Sequence, residues 1–126
     1  MRENEISRHI VDAAVDVHRT LGGPGLLESV YEEALAWELG SRSLEVIRQK
    51  PVPIIYKGIR LCTELRFDLL VEHRVIIECK ATSQYRPIYA TQALTYLRLL
   101  NLRLALVINF GERLVKDGIH RVVNGL

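Results

Sequence analysis

The sequence predicts an α/β domain whose central mixed sheet is flanked by helices. Three observations carry this expectation. Through the first forty positions, apolar residues recur at three- and four-residue intervals, which is the period of a helix. From Leu61 to Ala81 the pattern shortens to strand-like alternation, and a further helical segment then stands before the short apolar run "LALVINF". At 126 residues, 48% of them hydrophobic, the chain is large enough for one compact domain with a real core and too small for two. Residues 1–126 are therefore expected to form a single domain.

The elements follow in order. Ile6, Ile10, Ala14, Val17 and Leu21 mark an amphipathic helix that stops at "GGPG", a helix-to-helix turn. That glycine segment is not a phosphate cradle, because a helix precedes it and no Lys-Ser/Thr follows. A second helix begins near Leu27, with Leu27, Val30, Ala34 and Trp37 as its expected buried stripe, and Gly40 ends it. Leu44 to Tyr56 reads as a strand that Pro51 and Pro53 confine to an edge or a bulge. "YKGIR" turns. Leu61 to Val71 and Val75 to Ala81 are the next strands, and Pro87 opens a third helix that runs to Leu100. Leu104 to Phe110 is a buried strand. After the "KDG" turn, Ile119 to Val123 pairs back as the last one.

Composition excludes several classes of function. No run approaches the ~20 apolar residues of a membrane span, and "MRENEISRHI" lacks the apolar stretch of a signal peptide, so a cytoplasmic protein without membrane partners is expected. Cys62 and Cys79 show no metal-ligand spacing and are expected as reduced, partly buried thiols. A net charge of +2 makes no generic polyanion binder. Between Arg42 and Arg86, however, nine Lys/Arg face five Asp/Glu, a local net of +4. That excess suits a phosphate-bearing partner and equally a solvated sheet edge.

The chemistry lies in "ELRFDLLVEHRVIIECKAT", Glu64 to Thr82. If Glu72, His73 and Arg74 form the turn, Val71 pairs with Val75, Leu69 with Ile77, and Asp68 falls opposite Glu78. Alternation then puts Leu65, Phe67, Leu69, Val71, Val75, Ile77, Cys79 and Ala81 on one apolar face. Arg66, Asp68, Glu78 and Lys80 share the other. Adjacent carboxylates repel, so their pairing suggests a cation between them. Hard ions such as Mg²⁺ take carboxylate and carbonyl oxygens and bridge to phosphates, and the backbone carbonyl of Cys79 is a further available ligand. Lys80, two residues after Glu78, points to the same side, where its ammonium suits the negative charge of a phosphoryl transition state. A solvated ladder, with Arg66 and Lys80 offsetting Asp68 and Glu78, fits the same spacing.

Asp68 followed by "ECK" (Glu78, Cys79, Lys80) resembles the D…(E)xK core of the PD-(D/E)XK nuclease superfamily, with Phe67 in place of the nominal proline. "GPGLLESVYEEAL" matches, at Gly25, Glu28 and Tyr31, the signature of the GxxExxY protein family of that superfamily. The likeness continues through "FDLLV", "IIECKA", "TQALTYL" and "INFG", which covers most of the chain.

The resemblance implies a restriction-endonuclease-like core over residues 1–126 and metal-dependent hydrolysis of nucleic acid, DNA ahead of RNA. Asp68, Glu78 and the Cys79 carbonyl would hold Mg²⁺ or Mn²⁺, Lys80 would assist catalysis, and Glu28 would add a ligand directly or through water. Glu28 also suits a helix N-terminus on electrostatic grounds alone. Gln92 and Tyr96, one helical turn apart, resemble a Q…Y element that helps hold the site and the substrate strand, and Arg66 joins them as a substrate-binding residue. Tyr31 is expected to pack with its hydroxyl at the surface or to orient Glu28. His18 is expected as a hydrogen-bonded structural histidine, with no zinc site among the histidines. At this size, strong sequence specificity needs a homodimer or a partner chain. Two other functions stay open: a nucleic-acid-binding module without turnover, and a protein-interaction subunit that retains the fold.

Overall fold

A computed structural model describes residues 1–126. Helix α1, Glu3–Thr20, buries Ile6, Ile10, Ala14 and Val17 of the expected stripe, with Ala13 beside them, and Leu21, just past its end, packs partly buried against the same core. It ends where Gly22 and Gly23 take φ of +91° and +89°, left-handed values that favour glycine. Helix α2, Glu28–Ser41, turns a different face inward from the expected one. Tyr31, Leu35 and Leu39 are buried; of the expected stripe Ala34 packs partly buried against the core, whereas Leu27, Val30 and Trp37 are 74%, 39% and 72% exposed. Apolar residues occupy two sides of α2, so periodicity does not choose between them. Packing does: the Tyr31 ring stacks on Phe110 with centroids 4.8 Å apart.

The strands are β1 (Val46–Arg48), β2 (Pro51–Tyr56), β3 (Ile59–Arg66), β4 (Leu69–Val71), β5 (Val75–Lys80), β6 (Leu104–Asn109) and β7 (Ile119–Val123). Five of them form a sheet in the order β1-β4-β5-β6-β7, and β2 and β3 make a separate hairpin. β4 and β5 are antiparallel while β5 and β6 are parallel, so the sheet is mixed. Helix α3, Ile88–Leu100, supplies the crossover that a parallel pair requires. Two expected strands are each divided in the fold. The first breaks at Gln49, whose φ of +52° turns the chain from β1 into the hairpin. The second breaks at Phe67 and Asp68, between β3 and β4. Pro51 and Pro53 lie on β2, in a two-stranded ribbon where a missing donor is tolerated.

The core lies on both sides of the large sheet. On one side α1 and α2 cover Leu69, Val71, Val75, Ile77, Cys79, Leu106 and Ile108. On the other α3 covers Leu70, Ile76, Ala105 and Val107, with Phe67 and Val52. The face expected to be polar is therefore also core, and it turns polar only at the C-terminal end of β5. Phe67 changes sides because the strand break at 67–68 interrupts the alternation. β5 and β6 accordingly read as continuous apolar runs, as strands buried on two faces do. Neither cysteine is paired: Cys79 is buried as expected, whereas Cys62, on the open hairpin, is exposed.

Candidate active site

The turn between β4 and β5 sets the register on which the site depends. Glu72 and His73 take left-handed φ of +53° and +55°, and Leu69 pairs with Ile77 and Val71 with Val75. Asp68 stands one residue before β4, where the ladder ends, and it completes the pairing with its side chain. Its Oδ2 accepts the Cys79 N–H at 2.8 Å, and its Oδ1 accepts from Gln49 Nε2 at 3.2 Å. The Asp68 and Glu78 carboxyl groups are thereby brought together.

Glu78 is 8% exposed, and its Oε1 is buried without any hydrogen-bond partner. Burial, followed by the negative charge of Asp68, pushes its pKa up to about 9, and the nearby Lys80 only partly opposes this. Neither carboxylate joins any ion pair, so the solvated charge ladder does not form. Lys80 instead rests its ammonium over the Tyr89 ring, 4.6 Å from the centroid. Arg66 turns away, donating to the Gln49 carbonyl at 3.1 Å.

An open cleft of about 560 Å³ lies above Asp68, lined also by Leu27, Glu28, Ser29, Glu32, Arg48 and Gln49. Glu28, the first residue of α2, is exposed, but its carboxyl is held above its ordinary range by partial burial and then by the Asp68 charge. No three carboxylate, imidazole or thiolate groups converge closely enough to enclose a metal ion by themselves. Asp68 and Glu78 offer hard oxygens with unused lone pairs, and the orphaned Oε1 of Glu78 fits a cation. The rest of such a shell must come from the backbone, water or a substrate phosphate, as Mg²⁺ commonly allows.

Sequence reasoning missed a further acid, Glu32, and its partners. Glu32 is 5% exposed, and its carboxylate accepts from Gln49 Nε2 at 2.8 Å and from Arg48 at 3.1 Å. Gln49 thus bridges Glu32 and Asp68 through one amide nitrogen. Glu32 follows Glu28 by one helical turn, so its spacing did carry a signal. Gln49 had none, since it acts from a left-handed turn that no local pattern announced. Tyr89 and Asn109 were missed too. The buried Asn109 side chain accepts from the N–H groups of Thr82 and Gly111, both at 3.0 Å, and donates to the Thr82 carbonyl, fixing the chain that leaves Lys80.

The remaining expected residues lie apart from the carboxylates or act structurally. Gln92 is exposed on α3 and shares a pocket of about 250 Å³ with Leu65, Thr95 and Tyr96, making no hydrogen bond to Asp68 or Glu78. Tyr96 donates its hydroxyl to the Arg66 carbonyl at 2.9 Å, and its pKa is raised by burial and then by Glu78. Tyr31 is fully buried and does not orient Glu28. Its hydroxyl donates to the Gly23 carbonyl and accepts the Leu26 N–H, clamping the loop before α2. His18 is the structural histidine expected, with Nε2 hydrogen-bonded to the Phe110 carbonyl at 3.0 Å.

A family model described as the PD-(D/E)XK nuclease superfamily matches residues 4–122. No curated protein and no solved structure matches the chain.

Proposed function

The chain belongs to the PD-(D/E)XK nuclease superfamily, its five-stranded mixed sheet between helices agreeing with a restriction-endonuclease-like fold, and from that premise we propose that it hydrolyses phosphodiester bonds in nucleic acid with a divalent metal. Residues 1–126 act as one nuclease-like domain, DNA ahead of RNA is the substrate, and the setting is cytoplasmic. No helix is long and apolar enough to cross a membrane. Gly25, Glu28 and Tyr31 support assignment within the superfamily to the GxxExxY family.

One observation carries the reading: a buried carboxylate, Glu78, has an unpartnered oxygen beside a second carboxylate and no cation pairs with either. Asp68, Glu78 and the Cys79 carbonyl would hold Mg²⁺ or Mn²⁺, which would supply Lewis-acid polarisation of the phosphoryl group. Gln49 and the Cys79 N–H hold Asp68 in place from both of its oxygens. Glu28 faces the same cleft and acts through water, since three carboxylates do not close on one point. Lys80, oriented by Tyr89, keeps a positive charge where negative charge develops on the phosphate. Gln92, Tyr96 and Arg66 contact the substrate strand beyond the cleft.

The test is cleavage of single- and double-stranded DNA and RNA by purified protein with Mn²⁺ or Mg²⁺, beside Lys80→Ala. Metal-dependent products that fall at least a hundredfold in the variant support the assignment, while equal rates defeat it. A protein-interaction role is favoured by a separate observation, the exposed Leu27, Val30 and Trp37 of α2. That reading predicts self-association or capture of a partner chain, measurable by light scattering.

A further inference from the structure

A concentration of unpaired positive charge lies outside the carboxylate cleft. A cavity of about 410 Å³ opens between the end of α1 and the loop after β6, lined by Val15, His18, Arg19, Gly22, Gly23, Arg113, Leu114, Val115 and Lys116. Its wall holds three cations and no carboxylate. Arg19, Arg113 and Lys116 are exposed, and none joins an ion pair, although the chain forms six such pairs elsewhere. His18, whose Nε2 is taken by the Phe110 carbonyl, closes the inner side. Val15 and Val115 give the cavity an apolar part, and its volume is within the range of small-ligand sites.

The cavity is tied to the cleft by rigid connections. Phe110 donates its N–H to the Lys80 carbonyl at 2.7 Å, and its own carbonyl binds His18, so one residue links the catalytic strand to the cavity wall. Gly23 lines the cavity and Leu27 lines the cleft, and the four residue-to-residue steps between them reach at most about 14 Å. Tyr31 clamps that segment through Gly23 and Leu26. A nucleic-acid strand covers such a distance in a few nucleotides.

We propose that this cavity is a phosphate subsite, in which Arg19, Arg113 and Lys116 hold a phosphate of the bound strand a few nucleotides from the one at Asp68 and Glu78. The inference rests on the nuclease reading for the identity of the strand, and the subsite works by neutralising charge without taking part in hydrolysis. It fixes the register of the strand on the cleft. The same three cations also suit a free phosphate or a mononucleotide, and the test separates these sources.

The experiment measures binding without metal, so cleavage plays no part. Fluorescence anisotropy with a labelled single-stranded oligonucleotide in EDTA is compared for wild type, the triple variant Arg19→Gln/Arg113→Gln/Lys116→Gln, and a control triple variant Arg2→Gln/Arg8→Gln/Arg98→Gln that removes equal charge elsewhere. The subsite variant is expected to lose at least tenfold in affinity, and its log–log salt slope becomes shallower by about 0.7 for each phosphate that is no longer neutralised. The control triple should bind within about threefold of wild type. If the subsite triple misfolds by circular dichroism, the double variant Arg113→Gln/Lys116→Gln takes its place, with the same loss expected in smaller measure. Calorimetry with inorganic phosphate and a nucleoside monophosphate completes the comparison. Equal losses in the two triple variants, or tight binding of a free phosphate alongside unchanged oligonucleotide affinity in the subsite variant, would overturn the proposal. Loss of oligonucleotide binding confined to the subsite variant, in a protein that never cleaves, would support the subsite and remove only the catalytic reading.

Discussion

Glu78 and Lys80 are two residues apart on β5 and make separable predictions. The Glu78 pKa is raised from 4.5 to about 9, so in metal-free buffer the folded chain holds a proton that the unfolded chain releases. Wild-type stability therefore falls as pH rises from about 4.5 towards 9. Glu78→Gln removes this dependence. In EDTA the variant should melt at least ~4 °C above wild type at pH 8, the shift expected from about 1 kcal/mol in a domain of this size, and the gap should close by pH 5. Adding Mn²⁺ should raise wild type and leave the variant unmoved, which differential scanning calorimetry would show. Lys80→Ala keeps both carboxylates. It should bind Mn²⁺ at least as tightly as wild type, because a neighbouring positive charge is gone, while cleavage drops at least a hundredfold in a gel assay.

The elements that hold these residues carry predictions of their own. Leu35 is fully buried on the inner face of α2 whereas Trp37 is 72% exposed, so Leu35→Ala should cost about 2–5 kcal/mol in urea denaturation and Trp37→Ala less than about 0.5 kcal/mol. A reversal would restore the face of Leu27, Val30, Ala34 and Trp37 as the buried one. Gly111 follows β6, and a Cβ there would stand 2.1 Å from the Thr82 carbonyl oxygen. Gly111→Ala should therefore push apart the segments leaving β5 and β6, lowering both the melting temperature and metal affinity. How far sequence reaches is visible in these same elements. The β4–β5 hairpin was legible down to its register, because the length of a three-residue turn fixes which residues pair. The inner face of α2 was not, since apolar residues stand on two of its sides. Gln49 and Asn109 were illegible for a different reason. Each acts by bridging segments distant in sequence, Glu32 with Asp68 in one case and Thr82 with Gly111 in the other, and no local pattern encodes such a bridge.

At the scale of the whole molecule, the C-terminal end of β5 lies where the sheet, the first turn of α2 and the loop after β6 come together. The fold is covered on both faces by helices, and Asp68, Glu78, Glu32 and Asn109 gather towards this end of the central strands, where ligand sites in α/β sheets commonly lie. Nucleic-acid binding there should weaken with salt, and the dependence should survive Asp68→Asn, because phosphate contacts and metal contacts are carried by different residues. The most direct measurement is calorimetric titration of Mn²⁺ into metal-free wild type and Asp68→Asn, each with and without a nuclease-resistant oligonucleotide to complete the coordination shell. Saturable binding by wild type, strengthened by the oligonucleotide and reduced at least tenfold in Asp68→Asn, is the predicted result. Equal binding by the two proteins, or no binding by wild type at millimolar Mn²⁺ with the oligonucleotide present, would contradict the assignment of Asp68 and Glu78 as a metal site.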